Sequence, residues 1–354
     1  MIEILLDRYG DGAVLMMAGA LVGVVFGAAA QHSRFCLRSA TIEVSNGRMG
    51  PRLAVWLLAF FTAALVVQGS ITSGWLDVSQ ARQLAAQGSL SGAIIGGLLF
   101  GAGMILARGC ASRLLVLSAT GNLRAIVTGL VLTLVAQASL RGVLAPLREE
   151  LATLWTVSGG NSRSLSELLG LTSGDGALLA LMALGTVSIL ARVARVEPSK
   201  ILAAAMVGAA VGMGWVITYA IAQSSFELVP ISSITFTGPS TDTLMGLINQ
   251  PNLPLGFGVG LVPGVFVGSG LMALATHEAR IERFGPDTPM ERYLVGAAFM
   301  GFGSMLAGGC AVGAGMSGGA ILSLTAWIAV FCMWVGAVVT HRLIGMMRSA
   351  PVTS

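Results

Sequence analysis

The sequence predicts an all-α polytopic membrane protein with about nine transmembrane helices, short re-entrant half-helices and two inverted repeats. Only 10% of its residues are charged, whereas a soluble domain typically has about 25%. Four stretches without any acidic or basic side chain are longer than the roughly 20 apolar residues that one spanning helix needs. They are 53–76, 201–226, 243–276 and 293–340. A stretch that contains several glycines and one cysteine also occurs twice, which indicates an internal sequence duplication.

The apolar windows place nine spans along a single transmembrane domain that takes up the whole chain, 1–354. In order, the spans are 13–31, 53–73, 91–107, 123–140, 176–192, 201–223, 254–276, 292–307 and 321–340. The first twelve residues include Glu3, Asp7 and Asp11 and lack the basic start of a signal peptide. The first span is therefore predicted to be retained.

The duplicated stretch covers residues 96–111 and returns, without a gap, at 296–311. Eight positions of the first copy meet an identical residue in the second: Gly96, Gly101, Gly103, Leu106, Ala107, Gly109, Cys110 and Ala111. A weaker likeness links the glycine-flanked segments 19–23 and 208–212. Together the two likenesses predict an internal repeat that includes most of the spans.

The equivalent helices are five spans apart in chain order (first and sixth, third and eighth), and an odd offset predicts that the two copies cross the membrane in opposite directions. We therefore predict a first repeat over 13–140, a connecting helix at 176–192 and a second, inverted repeat over 201–340. Interrupted helices at corresponding places in two inverted halves are typical of transporter binding sites.

Short apolar segments at 111–120 and 311–320 follow Gly-Cys pairs in both copies and are too short to cross a bilayer. We predict that Gly109-Cys110 and Gly309-Cys310 mark the points where a spanning helix breaks and a half-helix begins. Such backbone is tolerated at membrane depth only where protein or a polar cavity shelters it. For any single glycine, simple helix packing is the competing interpretation.

Arginine bias predicts the orientation, because basic residues favour the cytoplasmic side of a membrane. With nine spans, four basic groups fall on one side: Arg34, Arg38, Arg48 and Arg52; Arg192, Arg195 and Lys200; Arg280, Arg283 and Arg292; and His341, Arg342 and Arg348. The loops at 74–90, 141–176 and 224–253 fit the outside. The N-terminus is then periplasmic and the C-terminus cytoplasmic.

The formal net charge of +4 would suggest a nucleic-acid partner in a soluble protein, but here the arginines are better explained as orienting the helices. The four cysteines form no C-x-x-C pair and no disulfide or zinc spacing. With no phosphate loop or nucleic-acid motif either, we expect no cofactor, no metal and no nucleic-acid partner. Membrane lipid is the expected surrounding.

A half-helix that begins at Cys110 or Cys310 would expose free backbone N–H groups and a partial positive charge, which suits an anion. The thiol is a weak donor with a soft, polarizable sulfur. A permeation path for an anion requires the neutral thiol, since a thiolate would repel the anion; the protonation state stays open at this point. Cys332, within the last span, has no duplicated partner and is predicted to be buried or lipid-facing.

Cys36 lies between Arg34 and Arg38, directly after the first span. This block is either an interfacial anchor or the exit of a path with a thiol and cationic partners. Arg108 precedes the first Gly-Cys pair, where the second copy has Gly308. This asymmetry follows the positive-inside rule and is only weak evidence for a site.

The segments 34–38, 109–111 and 308–313 are similar to those of the YeeE/YedE sulfur-transport family, and the resemblance covers nearly the whole chain. Members are bacterial inner-membrane carriers, the best understood of which take up thiosulfate. The resemblance implies that Cys36, Cys110 and Cys310 line the thiosulfate route. It also implies an hourglass-shaped protein with short helices that enter from both faces. Some members are linked to selenium metabolism instead.

The leading hypothesis is uptake of thiosulfate or a similar sulfur anion, passed from Cys310 to Cys110 and then to Cys36. We expect the path to include Gly109 and Gly309, together with Arg34, Arg38 and Arg108. The alternatives are a membrane thiol oxidoreductase or sulfur-transferase that uses a persulfide, and a structural subunit that feeds a soluble sulfur carrier. A small cytoplasmic sulfur-carrier protein is an expected partner in the two alternatives and only a possible one for the transporter. No energy-coupling motif is visible.

Overall fold

The computed structural model describes residues 2–172, 174–251, 253–283 and 289–349. In chain order its α-helices are α1 (Ile2–Tyr9), α2 (Asp11–Ser33), α3 (Leu37–Ser45), α4 (Pro51–Thr72), α5 (Arg82–Ala85), α6 (Leu90–Leu106), α7 (Ala111–Ala119), α8 (Leu123–Arg141), α9 (Ala145–Thr153), α10 (Leu165–Leu168), α11 (Asp175–Val193), α12 (Pro198–Ser224), α13 (Thr237–Asn249), α14 (Phe257–Ala275), α15 (Met290–Leu306) and α16 (Leu324–Ser349). The remaining elements are strands β1 (Gly88–Ser89) and β2 (Thr156–Val157), a 3-10 helix (Gly160–Arg163) and a π-helix (Ala311–Gly318).

Nine helical segments of the described chain are long and apolar enough to cross a membrane. They coincide with the nine predicted spans to within a few residues at most ends, which confirms the all-α polytopic membrane class. Local signals explain several starts: proline stands at the first position of α4 and of α12, where a missing N–H is harmless. The Asn122 side chain caps α8 by accepting the Ala125 N–H at 3.0 Å.

Among the described α-helices, α1, α3, α5, α9, α10 and α13 lie outside the predicted spans and half-helices and were not predicted. Of these, α3 and α13 show why. The nine residues of α3 include Arg38, Ser39, Thr41 and Glu43, and α13 begins with a Thr-Gly-Pro-Ser-Thr-Asp sequence. Neither is an apolar window, so a search for spans reads both as loops. Their tertiary contacts, with α4 and α16 for α3 and with α8 and α14 for α13, provide the apolar surface that each short helix needs.

Glycines bring the helices of the core into backbone contact. Along α2 and α14, Gly19 lies against the Phe257 carbonyl and Gly260 against the Met16 carbonyl so closely that a Cβ would overlap either oxygen. Gly96 and Gly103 of α6 face α15 in the same manner. Helices in lipid associate through such close packing, because apolar side chains gain little by leaving an apolar solvent.

The helix contacts follow an exchange pattern between the two halves of the chain. α2 packs on α14 and α12 packs on α4; α6 packs on α16 and α15 packs on α8. Likewise, α3 lies on α16 and α13 lies on α8, while α7 contacts α14 and the π-helix contacts α4. A duplicated chain would give such matched pairs. The direction in which each half crosses the membrane stays a prediction.

We call the end of the bundle that holds 34–52, 192–200 and 277–283 the arginine-rich face, and the other end the opposite face. On the opposite face, Arg163 is buried and donates to the Ala86 carbonyl at 2.6 Å and to Thr325 Oγ1 at 2.7 Å. The Leu165 N–H reaches the Leu322 carbonyl at 2.8 Å. These bonds tie the loop between α9 and α11 to the start of α16.

Candidate functional site

Each of the three predicted path cysteines occupies the N-cap of a short helix. Cys36 precedes α3, Cys110 precedes α7 and Cys310 precedes the π-helix. All three side chains are buried. At the third of them the sulfur accepts the backbone N–H of Gly313 at 3.5 Å. The first-turn N–H groups of all three helices therefore start beside a thiol, in the interior of the molecule.

The helix breaks lie one residue before the predicted ones. Arg108 (φ 56°) and Gly308 (φ 80°) adopt the left-handed conformation that reverses the chain after α6 and after α15. Gly109 and Gly309 follow these turns. A Cβ at Gly309 would lie 2.8 Å from the Ala314 backbone nitrogen, whereas one at Gly109 would meet only a leucine side chain at 3.3 Å. The absence of a side chain therefore matters more at the second break.

The structure brings two of the thiols together, which sequence separation could not reveal. The Cys36 and Cys110 thiols act on each other electrostatically, so they are close in space. The Cys110 sulfur is also 3.3 Å from Ser112 Oγ. The short helices that begin at Cys110 and Cys310, α7 and the π-helix, are in contact. The three short helices that begin at these cysteines therefore lie in one region of the molecule.

An extended segment before α13 lies against the π-helix. The sequence did not predict this contact. Ser317 Oγ donates to the Ile234 carbonyl at 2.6 Å, and Trp215 Nε1 donates to the Ser317 carbonyl at 3.2 Å. Thr235 lies directly against Gly313, where a Cβ would collide with its hydroxyl. The available signal was the uncharged polar run Ser232, Ser233, Thr235 and Thr237, in a loop bounded by apolar spans.

A cavity of about 710 Å³ opens at the arginine-rich face, and Cys36 is among its lining residues. Six of the residues that line it are basic and three are acidic: Arg34, Arg52, Arg113, Arg195, Lys200 and Arg280 against Glu197, Glu278 and Glu282. The excess of positive charge favours an anion in the cavity, because charged walls around a low-dielectric cleft focus the field.

A chain of polar contacts links residues that line this cavity. Arg34 Nη2 donates to Glu278 at 2.8 Å, Gln31 Nε2 donates to the other carboxylate oxygen at 2.8 Å, and Arg113 Nη1 donates to Gln31 at 3.3 Å. The hydrogen bond from Arg34 is the main reason why the pKa of the Glu278 carboxyl lies below its usual range. The carboxylate therefore stays ionised at neutral pH.

Replacing Glu278 with Gln should change the pH dependence of stability. A lowered pKa in the folded state adds stability above the ordinary carboxyl pKa of about 4.3, and this contribution disappears as the pH falls through the lowered value. We expect the melting temperature of Glu278→Gln to lie roughly 1–2 °C below wild type at pH 7, because the pair is partly exposed. The difference should close below pH 4, as measured by thermal denaturation.

The control for that experiment is Glu150→Gln, a change at an exposed glutamate on the opposite face. It should leave the melting curve parallel to wild type over the same pH range. A constant gap between Glu278→Gln and wild type down to pH 3 would show that the carboxylate does not titrate with the lowered pKa.

The three arginines predicted to lie on the path do not all reach the cavity. Arg34 lines the cavity, but Arg38 and Arg108 are not among its lining residues. Their charges act on each other at the same face. Cys332 is buried inside α16, where it lies against Gly97, and caps no helix. The structure thus separates the three thiols at helix starts from the fourth.

In the described part of the chain, nine helical segments are long and apolar enough to cross a membrane, and short helices begin at three buried cysteines, one of which lines a basic cavity. This architecture is that of a polytopic membrane protein and is typical of transporters. The chain matches the model of the sulphur transport family over residues 32–339, which is most of its length. It therefore belongs to this family, as the resemblance of the cysteine segments predicted.

Two relatives extend the comparison over nearly the full chain. The thiosulfate transporter TsuA of Escherichia coli is 26% identical over 352 residues, covering 91% of this chain and 92% of the relative. The thiosulfate transporter TsuA of Spirochaeta thermophila is 27% identical over 331 residues, covering 89% and 94%. Both names support transport of a sulfur anion by a membrane protein.

Proposed function

We propose that this protein takes up thiosulfate, or a closely related sulfur anion, across the bacterial inner membrane along a path lined by cysteine thiols. The observation that supports it most is the repeated arrangement of Cys36, Cys110 and Cys310, each buried at the start of a short helix. The names of the two relatives supply the substrate class. Gly109 and Gly309 belong to the path because they lead the chain into two of these helices.

The proposed path runs from Cys310 to the Cys110–Cys36 pair and then into the basic cavity. Removing water from an anion costs at least several kcal/mol per charge. Thiols and first-turn N–H groups replace part of the hydration shell with weak donors. Closely spaced weak sites let an anion bind without being trapped, which conduction requires. Arg34 and the other basic groups of the cavity then attract the anion at the end of the path.

The proposed orientation places the arginine-rich face in the cytoplasm, with the N-terminus periplasmic. The positive-inside rule supports this, since the basic loops meet at that face. The cavity would then be the exit, where a small sulfur-carrier protein could collect the anion. Cysteine accessibility labelling of single-cysteine variants on each face of intact cells tests the orientation directly.

The function itself is tested by uptake of radiolabelled thiosulfate in a bacterial strain that lacks other importers. We expect uptake to depend on expression of this protein and to be reduced by excess unlabelled thiosulfate. Sulfate, sulfite and selenite serve as competitors in parallel. Competition by selenite alone, without competition by thiosulfate, would favour the selenium-linked alternative and contradict the proposal.

The contact between Cys36 and Cys110 favours one second candidate, a sulfur-transferase. A thiolate would attack the outer sulfur of thiosulfate, break the S–S bond, form a cysteine persulfide and release sulfite. The neighbouring thiol could then accept the persulfide sulfur. Intact-protein mass spectrometry after incubation with thiosulfate distinguishes the two functions. A stoichiometric mass increase of one sulfur atom supports the transferase, and an unchanged mass supports transport alone.

A further inference from the structure

A second cavity, of about 410 Å³, lies where α7, α8, α13 and α14 meet. We call it the apolar groove. Its volume is within the range of about 300–1,000 Å³ that is typical of ligand sites. Two of its lining residues, Ala111 and Leu114, belong to the short helix that begins at Cys110, and Phe236 belongs to the extended segment beside the π-helix. The apolar groove therefore borders the thiol region, but it shares no described lining residue with the basic cavity.

The apolar groove is bordered by side chains on the outside of the bundle. Four apolar side chains that line it are exposed: Ile126 and Leu130 of α8, Leu247 of α13 and Phe266 of α14. Both α8 and α14 are long and apolar enough to cross a membrane. Exposed apolar side chains on such helices contact lipid tails, which are as apolar as leucine. The groove is therefore reached from the hydrocarbon region of the bilayer.

Most hydroxyl groups around the apolar groove are not presented to its space. Ser118 and Thr133 donate theirs to carbonyls of their own helices, at 2.7 and 2.9 Å. The hydroxyl oxygens of Thr237 and Thr243 are buried within the wall. Among the described residues that line the groove, this leaves Ser240 as the remaining polar side chain, and none of them is charged. Such a lining favours hydrocarbon, because a polar ligand would lose hydrogen bonds to water without replacing them.

Aromatic rings pack at the corresponding place in the other half of the chain. A left-handed residue stands two positions before the start of α8 and of α16, which aligns Ile126 with Trp327. Between ring centroids, Trp327 lies 5.4 Å from Phe60 of α4. Two turns further along α16, Trp334 lies 5.5 Å from Trp56 of α4. Since α4 corresponds to α14 in the exchange pattern, one half uses its own rings where the other half has the apolar groove.

We propose that the apolar groove binds one acyl chain of a membrane lipid. A chain that enters from the bilayer supplies the dispersion contacts that aromatic rings supply in the other half, and close packing requires such contacts. It lies against Leu114 and Phe236, and so supports the short helix that begins at Cys110. A ligand with a polar ring, such as a quinone, would need more hydrogen-bond donors than Ser240 provides.

The test is photo-crosslinking of the full-length protein in lipid nanodiscs. The discs contain a phosphatidylcholine that carries a diazirine near the end of one acyl chain, and mass spectrometry of peptides locates the label. We expect label on α7, all of whose residues are buried or half-buried. The exposed Leu179 and Met182 of α11 serve as the internal reference, because they face lipid directly. Label on α11 without label on α7 overturns the proposal.

A substitution that fills the apolar groove decides whether the label on α7 comes from it. Gly129 lines the groove, and a Cβ there would meet no atom within 4 Å. Gly129→Phe places a ring in the groove and should remove most of the label from α7 while α11 keeps its label. If this variant is not produced in folded form, Gly129→Leu replaces it. The matched control is Gly185→Phe in α11, where the added Cβ also meets nothing within 4 Å, and it should keep the α7 label. Equal α7 labelling of the filled variant and wild type contradicts the proposal.

Competition identifies the chemistry of the occupant. Excess unlabelled phosphatidylcholine should reduce the label on α7 and on α11 in the same proportion. A short-chain benzoquinone at the concentration of the labelled lipid should leave both unchanged. Selective loss of the α7 label with the quinone would assign the apolar groove to a ligand with a polar ring and overturn the acyl-chain proposal.

Discussion

Replacing Cys310 with Ala should lower thiosulfate uptake at least about tenfold at equal membrane expression, which corresponds to roughly 1.4 kcal/mol of lost stabilisation along the path. This sulfur is buried and accepts the Gly313 N–H at the start of the π-helix. Alanine removes both the cap and the thiol that the proposed path requires. Initial rates of labelled thiosulfate uptake give the measurement.

Two further variants separate the thiol from the cap. Cys310→Ser keeps a capping group, since serine is a preferred N-cap residue, but replaces the soft sulfur with a strongly hydrogen-bonding oxygen. We expect it to fold as wild type and to transport as poorly as Cys310→Ala. Cys332→Ala removes a buried cysteine that caps no helix and should transport normally. Full uptake by Cys310→Ser would contradict the need for a thiol.

Replacing Gly260 with Ala should strongly destabilise the bundle. The added Cβ would overlap the Met16 carbonyl at the closest approach of α2 and α14. Overpacking of this kind typically costs about 1–3 kcal/mol or more, because backbone rather than a flexible side chain must move. We expect the melting temperature to fall by roughly 5 °C or more, with a lower yield of monodisperse protein.

The matched control is Gly185→Ala in α11, where nothing lies within 4 Å of the added Cβ. Alanine has the higher helix propensity by about 1 kcal/mol, so this variant should melt at or above the wild-type temperature. The two substitutions add the same methyl group within a membrane-spanning helix. A Gly260→Ala protein that melts like wild type would show that α2 and α14 can separate without cost.

Much of the fold could be predicted because lipid makes spanning helices visible in composition. The nine windows and the short segments after Cys110 and Cys310 all appear as helices close to the predicted ends. Two of the missed helices, α3 and α13, are short and polar, and they are held by neighbours distant in sequence. Periodicity within so few residues cannot distinguish a docked helix from a loop.

The candidate site divides in the same way. Cys110, Cys310 and their preceding glycines could be named from the duplicated pattern, and Cys36 and Arg34 from the basic block after the first span. Three features could not be predicted from the sequence. They are the adjacency of Cys36 and Cys110, the contact of 232–236 with the π-helix, and the separation of Arg38 and Arg108 from the cavity. Each depends on how elements far apart in the chain pack together.

The sequence by itself determined the membrane class, the number of spans, the broken helices and the thiols at their starts, because bilayer thickness and backbone hydrogen bonding leave few local alternatives. Only the tertiary structure decided which thiols meet and which arginines line the cavity. Those outcomes follow from backbone contacts between glycine-bearing helices such as α2 and α14. Close packing fixes distances between side chains that no local pattern encodes.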